Sequence, residues 1–561
     1  MSLHHITKRE KVIVMLAVMS GLFLIALDQT IISTALGAIV SEFQSFSSLG
    51  FIVTAYMLTS TVTVPLAGKL SDMYGRRLIL LSGIVTFTLA SLLSGYAGSM
   101  SMLIIARALQ GIGGGMIMAN AFTIVGDLFP PRERSRWQGF IGATFGLSSI
   151  AGPLLGGWLT DNHHLFGLTT NWRWNFFINV PIGIVAGLVV AKYCPSIKHD
   201  SVHKPDYLGA LFITISLSAL VLGVDNTETI FRSFIENGLS LGVIRAILLG
   251  TAFVSGIAFV MTEKKAKQPI LPLRFFSNMT YVKMGSVTLL FGAAFMGAIL
   301  YLTQFNQQVY KADATQAGLM LLPMVIGMTF SSITAGQFIA KVGRYKPFIV
   351  AGFAIGTIAM LSLLFLQPTS PYWHEAISMV FIGLGFGMAM PVLNIAIQNE
   401  FEQKDLGAAT ASVQLFRGLG STIGIAVLSA LLTAGIVSSI GKPADNDYIK
   451  VLKQSPASAQ LLKDPINADT LLNINSQKDT IMAEAEQSLS EQDVPASMRE
   501  SIIADVKEKQ NRFSEQLISA FTSALHRVFL ISALIMAAAF GILTTLKNRK
   551  LRTKMEIGIT E

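Results

Sequence analysis

Long apolar runs, each bounded by short polar or basic segments, set the frame of this 561-residue chain. A helix needs roughly 20 apolar residues to cross a hydrocarbon core. By that measure spans are predicted near 12–36, 48–67, 78–98, 101–126, 137–160, 174–193, 206–224, 239–261, 281–305, 315–340, 347–367, 374–398, 406–434 and 522–546. The pattern is that of an all-α, polytopic membrane protein with fourteen transmembrane helices. One connection differs from the rest. Residues 435–521 are polar, yet segments 470–490 and 497–520 repeat apolar residues at helical spacing, as in Ile502, Ile503, Val506, Phe513, Leu517 and Phe521. A helical hairpin before the last span is expected there, on the extracytoplasmic side. It serves either as a solvated cap or as a docking element or gate.

Composition agrees with a lipid-solvated chain. Hydrophobic residues make up 52% and charged residues 13%, about half the charged share of a soluble domain. The net charge of +9 does not point to nucleic acid, because the basic residues form no single face or tail. They sit in short blocks between spans. With the N-terminus inside, Lys8, Arg9, Lys11, Lys69, Arg76, Arg77, Arg132, Arg134, Arg136, Lys341, Arg344, Lys346 and their like fall on the cytoplasmic side, and the short outer loops keep Arg232 and Lys311. Both termini are therefore expected in the cytoplasm, with the chain in an inner or plasma membrane and its N-terminal span retained. Trp137, Trp158, Trp172, Trp174 and Trp373 all fall at span ends, where an indole favours the interface. Cys194 is the only cysteine, and His163-His164 form an isolated pair in an outer loop. No phosphate-binding glycine loop, metal-ligand cluster or nucleophile triad is written in the chain, so neither an enzyme nor a cofactor is expected and an ion gradient is the expected energy source.

An internal repeat organises the spans. Gly111-Ile-Gly-Gly-Gly-Met-Ile-Met118 recurs as Gly383-Leu-Gly-Phe-Gly-Met-Ala-Met390, and Gly68-Lys-Leu-Ser-Asp72-Met-Tyr-Gly75-Arg76 recurs loosely as Gly336-Gln-Phe-Ile-Ala-Lys-Val-Gly343-Arg344. Two six-helix halves with two helices between them account for this: residues 1–195, a linker pair in 196–275, and a second half in 276–434 with 522–561, the outer loop being 435–521. Parallel repeats around a central site are a transporter architecture. Convergent glycine-rich helix packing is the alternative.

Five motifs carry chemistry. The loop after the second span, Gly68 to Leu80, combines Gly68 and Gly75 with Asp72, Arg76 and Arg77. Those residues suit a tight turn and charge-assisted bonds across helix ends, beyond what a simple positive anchor needs. The fourth span carries Leu103, Arg107, Gln110, Gly111, Gly114 and Gly115. A guanidinium there is paired, hydrated or snorkelling, and lies roughly 9 Å below the outer helix end. The first span carries Leu27-Asp28-Gln29-Thr30-Ile31-Ile32-Ser33-Thr34-Ala35-Leu36. Its Asp28 lies roughly 25 Å from the cytoplasmic end, at the depth of Arg107. The fifth span reads Gly146-Leu-Ser148-Ser-Ile-Ala-Gly152-Pro153-Leu-Leu-Gly156-Gly157, and the sixth opens with Trp172-Arg173-Trp174-Asn175-Phe-Phe-Ile-Asn179-Val-Pro181.

In this order and in these spans, the motifs resemble those of the major facilitator superfamily, and within it the fourteen-helix drug:proton antiporter family. The likeness covers nearly the whole chain except 435–521. It departs from the family pattern at Ser33, Gly37 and Ser148, and Ala340 replaces the acid in the second loop copy. The resemblance implies that Gly68, Asp72, Gly75, Arg76 and Arg77 form a conformational latch, weaker in the second copy. It implies proton coupling by Asp28 and Arg107, and export through the Gly152, Pro153, Gly156 and Gly157 motif. Asp28, Gln29, Gln110, Asn120, Gln304, Phe386 and Asn394 are candidate substrate contacts, with Met116, Met118, Met388 and Met390 as a pliable lining or plain packing. Asn306, Gln398 and Arg417 add polar groups in or near the later spans.

The function expected is export of amphipathic, often cationic, small molecules in exchange for protons. Export of one dedicated metabolite, and a non-transporting scaffold or sensor, are the alternatives. The lipid bilayer and small molecules are the expected partners, nucleic acid is not, and a periplasmic adaptor is left open.

Overall fold

The computed structural model describes residues 7–43, 49–160, 164–165, 168–195, 205–224, 227–440, 446–454, 468–490 and 496–551. His163, Lys198, Lys204, Arg552, Lys554 and parts of 435–521 lie outside them. The first group of helices is α1 (Lys8–Phe43), α2 (Leu49–Tyr74), α3 (Arg76–Gly95), α4 (Met100–Leu128), α5 (Pro131–Thr160), the single turn α6 (Trp174–Phe177) and α7 (Asn179–Tyr193). A two-residue antiparallel pair, β1 (His164–Leu165) and β2 (Leu168–Thr169), lies between α5 and α6. Next come α8 (Tyr207–Val224), the short α9 (Thr227–Ile230) and α10 (Arg232–Glu236), and α11 (Leu241–Glu263). The second group is α12 (Met279–Gln308), α13 (Ala314–Met320), α14 (Leu322–Val342), α15 (Lys346–Ser362), α16 (Tyr372–Gln398) and α17 (Leu406–Ile440). The chain closes with α18 (Asp447–Gln454), α19 (Ala468–Ser476), α20 (Lys478–Ser490) and α21 (Ala496–Thr544). Among the described residues, 14 helices are long and apolar enough to cross a membrane, and each of the fourteen predicted spans falls on one of them.

The packing repeats. In the first group α2 and α3 pack on α4, and α1 packs on α5 and α7; in the second, α14 and α15 pack on α16, and α12 on α17 and α21. Glycines fix this arrangement at matched positions. A Cβ on Gly111 would strike the Tyr56 carbonyl, and one on Gly383 the Met324 carbonyl. Gly115 lies against the Ser60 carbonyl and Gly387 against that of Met328. Gly113 faces Gly83 as Gly385 faces Gly352. In each case the second contact is the first one shifted by the repeat, so the glycine pattern is a shared backbone contact that small residues permit. Gly75 (φ 103°) and Gly343 (φ 70°), also equivalent, turn the chain in the left-handed region that L side chains avoid.

Basic residues mark one end of the bundle, and they do more there than add charge. Lys11 Nζ donates to the Leu128 carbonyl at the end of α4, and Arg134 to those of Gly126 and Phe129. Arg77 reaches the Ala191 carbonyl of α7, and Lys346 the Thr544 carbonyl at the end of α21. Each caps a helix C-terminus, where backbone carbonyls lack partners and the helix dipole favours a cation.

The segments 470–490 and 497–520 are helical as expected, but the second is no separate element. It is the first half of α21, one unbroken helix of 49 residues, about 73 Å long against a hydrocarbon core of about 30 Å. Phe513, Leu517 and Phe521 are buried, while Ile502 is exposed. Gln510 Nε2 donates to Tyr448 Oη of α18 at 2.9 Å and to the Lys478 carbonyl of α20 at 2.7 Å, docking the short helices on α21.

Replacing Gly383 by Leu should force α14 and α16 apart at a cost of about 1–3 kcal/mol or more. The expected reading is a lower thermal midpoint in detergent for Gly383→Leu, matched by Gly111→Leu and absent for Gly541→Leu, whose added Cβ meets open space.

Candidate functional site

Asp28 and Arg107, 79 positions apart, meet inside the first group. Arg107 Nη1 donates to Asp28 Oδ2 at 2.5 Å and to Gln110 Oε1 at 2.7 Å. Gln110 Nε2 donates to Asp28 Oδ1 at 2.8 Å and to Ser91 Oγ of α3 at 2.7 Å. Asn179 of α7 adds longer contacts of 3.4 Å to both Asp28 and Ser91. The guanidinium lies over the rings of Tyr56 at 4.5 Å and Phe176 at 5.8 Å. Every member is buried. Removing two charges from water costs several kcal/mol per ion, which attraction offsets only when the remaining hydrogen-bonding positions are filled. Gln110 and Asn179 fill them on the acid, and two aromatic faces cover the base.

The helices are seated around this pair by the fifth- and sixth-span motifs. Gly152 is where α5 closes on α1; a Cβ there would strike Thr30, two residues from Asp28, and Thr30 Oγ1 donates to the Ser148 carbonyl at 3.2 Å. Pro153 contacts α13 at Gly318, while Gly157 has only loose contact with Thr315 and the Gly156 carbonyl accepts from Thr160. The Trp172-Arg173 pair grips Glu42 at the far end of α1: Trp172 Nε1 donates at 2.7 Å and Arg173 binds both carboxylate oxygens at 2.7 and 2.8 Å. The Arg173 guanidinium holds the Glu42 carboxyl below the usual carboxylate range. Because Arg173 is half-buried and Glu42 exposed, their ion pair orients α1 more than it stabilises the fold.

At the basic end the two groups interlock. Asp72 pairs with Arg76, whose Nε also donates to Asp127 at 2.8 Å and whose Nη1 donates to Ser71 at 2.6 Å. The other Asp72 oxygen accepts from the Ala408 backbone N–H at 3.0 Å, placing a carboxylate on the N-terminus of α17. Gly68 packs on Ala411, and Gly407 leaves room for the Asp72 carboxylate. The second copy of the loop lacks the acid, and Arg132 at the start of α5 instead binds the Ala340 carbonyl at 2.5 Å and that of Lys341 at the end of α14. Gln398 joins the groups more deeply, accepting from Gln138 of α5 at 3.0 Å and donating to the Phe122 carbonyl of α4 and to Thr410 of α17.

Of the proposed substrate contacts, Asp28 and Gln110 bond each other, and Asn120, Phe386 and Asn394 have partners of their own. Asp28 and Gln110 are sealed in the charge cluster. Gln29 is exposed. Asn120 is buried and donates to its own helix at Met116. Phe386 sits in an aromatic core with Phe291 and Phe295. Asn394 accepts from Gln414 at 3.2 Å, and Gln304 is half-buried with an unpaired carbonyl oxygen. Four further cluster and latch residues, Tyr56, Ser91, Asn179 and Asp127, went unnamed as site residues in the sequence. Of these, Asn179 lay inside a quoted motif, whereas a serine or tyrosine in an apolar span carries no comparable mark.

The Major Facilitator Superfamily profile matches residues 18–425. The chain is 36% identical over 414 residues to multidrug transporter protein MdtP of Bacillus subtilis, covering 74% of each. It is 33% identical over 454 residues to multidrug resistance protein 3 of the same organism, covering 81% of this chain and 85% of that one. A solved double-tryptophan XylE mutant aligns over 96% of each chain with a TM-score of 0.57 at 15% identity, a likeness of fold.

Asp28→Asn should leave Arg107 buried without a counter-charge and destabilise the protein by about 3–5 kcal/mol. A thermal-unfolding double-mutant cycle with Arg107→Gln should recover part of that loss, and strict additivity would contradict the coupling.

Proposed function

The chain belongs to the Major Facilitator Superfamily, and we propose that it is a secondary active exporter that expels amphipathic, often cationic, small molecules in exchange for protons. The observation that carries this reading is the sealed Asp28–Arg107–Gln110 cluster. Protonation of Asp28 removes its attraction for the guanidinium, so one proton changes the contacts that hold α1, α3, α4 and α7 together. The multidrug names of the Bacillus subtilis relatives support a broad substrate range. One inward proton driven by membrane potential supplies roughly 2.3 kcal/mol per 100 mV.

In this reading residues 1–195 and 276–434 with 522–561 are the two rocking halves, 196–275 the linker pair and 435–521 an extracytoplasmic loop. The basic end faces the cytoplasm and both termini lie there. In the same reading the Asp72–Ala408 and Arg132–Ala340 contacts close that end, with the Gly68, Asp72, Gly75, Arg76 and Arg77 loop as its latch. Asp28 binds either proton or substrate in this reading, its oxygens being held here by Arg107 and Gln110.

A second reading, export of one dedicated metabolite, draws on Arg417. Its position follows Gln414 by three and precedes Ser421 by four, and those two reach Asn394 of α16 and the Gly292 carbonyl of α12. The three share an inner helix face, away from exposed Ile423 and Val427. No ion pair to Arg417 occurs among the described residues, and a Cβ on neighbouring Gly418 would meet open space. Such a guanidinium selects for an anionic group.

Proteoliposomes test both readings. An imposed proton gradient should drive efflux of a cationic dye in the wild type, and Asp28→Asn should abolish the coupling. Failure of any dye to move, or intact coupling in the variant, overturns the antiporter reading. Transport confined to one organic anion and lost in Arg417→Gln would favour the second.

A further inference from the structure

Glu375 stands apart from the charges above. It lies in the first turn of α16, at the end of the bundle opposite the basic end, and is fully buried. The repeat that carries Gly111 to Gly383 carries Leu103 to this position, so Glu375 copies no charged residue of the first group. Its carboxyl meets the Asn306 side-chain amide of α12, one amide atom lying 2.8 Å from Oε2 and 3.1 Å from Oε1. The titratable groups facing it are the phenols of Tyr310, just past α12, and Tyr372 on its own helix. Both hydroxyls donate elsewhere, Tyr310 to the Ser370 carbonyl at 3.0 Å and Tyr372 to the Met320 carbonyl at 2.7 Å. Among the described residues of α5, α12, α14, α15 and α17, no lysine, arginine or histidine acts on it.

A carboxylate so placed has one neutral amide in exchange for its hydration. The first turn of a helix does favour a negative charge, but its influence is smaller than the cost of burying an ion without a cation. The larger effect decides, and burial without a cation disfavours the ion. Asn306 suits either form. Its nitrogen donates to a carboxylate, and with the amide turned over its oxygen accepts the O–H of the acid, with no movement of α12 or α16.

We propose that Glu375 is a second proton-binding site, carried by the second group, which in this conformation holds one proton shared with Asn306. The two groups then neutralise their buried acids differently. Asp28 faces a fixed guanidinium, while Glu375 is compensated by an exchangeable proton. Glu375 is therefore a proton site separate from the Asp28 cluster. The site stands whether or not the chain exports drugs, and its test reads the carboxyl directly.

Infrared spectroscopy of the purified full chain in lipid nanodiscs should show a protonated-carboxyl C=O band at neutral pH that shifts in D2O. The band should vanish in Glu375→Gln and persist in Asp28→Asn. Asn306→Leu should keep the band but move it to higher frequency, because the O–H loses its acceptor. That variant, with the wild-type spectrum, decides the matter even if Glu375→Gln does not fold. Absence of the band in the wild type, its survival in Glu375→Gln, or an unshifted band in Asn306→Leu overturns the proposal. If the bands behave as stated and a proton gradient still drives no efflux, the exporter reading fails and this site remains.

Discussion

A guanidinium and a carboxylate stay buried in a bundle whose surroundings are hydrocarbon, and the placement of several helices follows from keeping them together. Arg107 on α4 and Asp28 on α1 meet in a network that also needs Gln110, Ser91 and Asn179 in position. Those residues draw α3 and α7 to the same point. Gly152 allows α5 to close on α1 beside Asp28, and the Trp172–Arg173–Glu42 contact holds the far end of α1. Were any one of these elements displaced, a buried charge would lose a partner, which is expensive in a medium that supplies no water.

The interface between the groups obeys a second electrostatic rule. Asp72 lies on the N-terminus of α17 and Arg132 on the C-terminus of α14, each placing its charge on the favourable end of a helix dipole. The two loop copies have diverged in their side chains yet serve equivalent places, one through an acid and the other through a base. Interhelical bonds of this kind join one charged side chain to a backbone end and not two charged side chains, so they can release without leaving an unpaired charge on both partners. The basic blocks show the same economy, since Lys11, Arg134 and Lys346 cap helix C-termini while giving the chain its charge asymmetry.

The groups are alike in backbone packing and unlike in buried charge. Glycines at matched positions reproduce the same close approaches in both. The first group encloses a salt bridge, whereas the second encloses Glu375 with an amide and leaves Arg417 on an inner face. Backbone packing tolerates little change because a single added carbon collides with a neighbouring carbonyl. Side chains that fill the interior are free to differ, and there the repeat has lost its symmetry.

Most of the architecture was legible in the sequence, because crossing a membrane imposes a length, a polarity and a charge pattern that each span writes out locally. The fourteen helices, the glycine repeat and the pairing of Asp28 with Arg107 at one depth all follow from such local or periodic signals. The continuity of α21 from the polar segment into the last span did not, since a change in hydropathy marks a change of solvent and not the end of a helix. Partners also lay beyond reach. Ser91, Tyr56 and Asn179 are ordinary residues until helices distant in sequence meet, and the partners of Phe386 and Asn394 appear only once the helices pack. Glu375 was passed over for the same reason, because its meaning depends on having Asn306 and no cation beside it. The sequence by itself determined which residues enter the membrane and how deeply. Only the tertiary structure decided which of them touch, since that depends on the rotation and spacing of helices set by packing across the whole bundle.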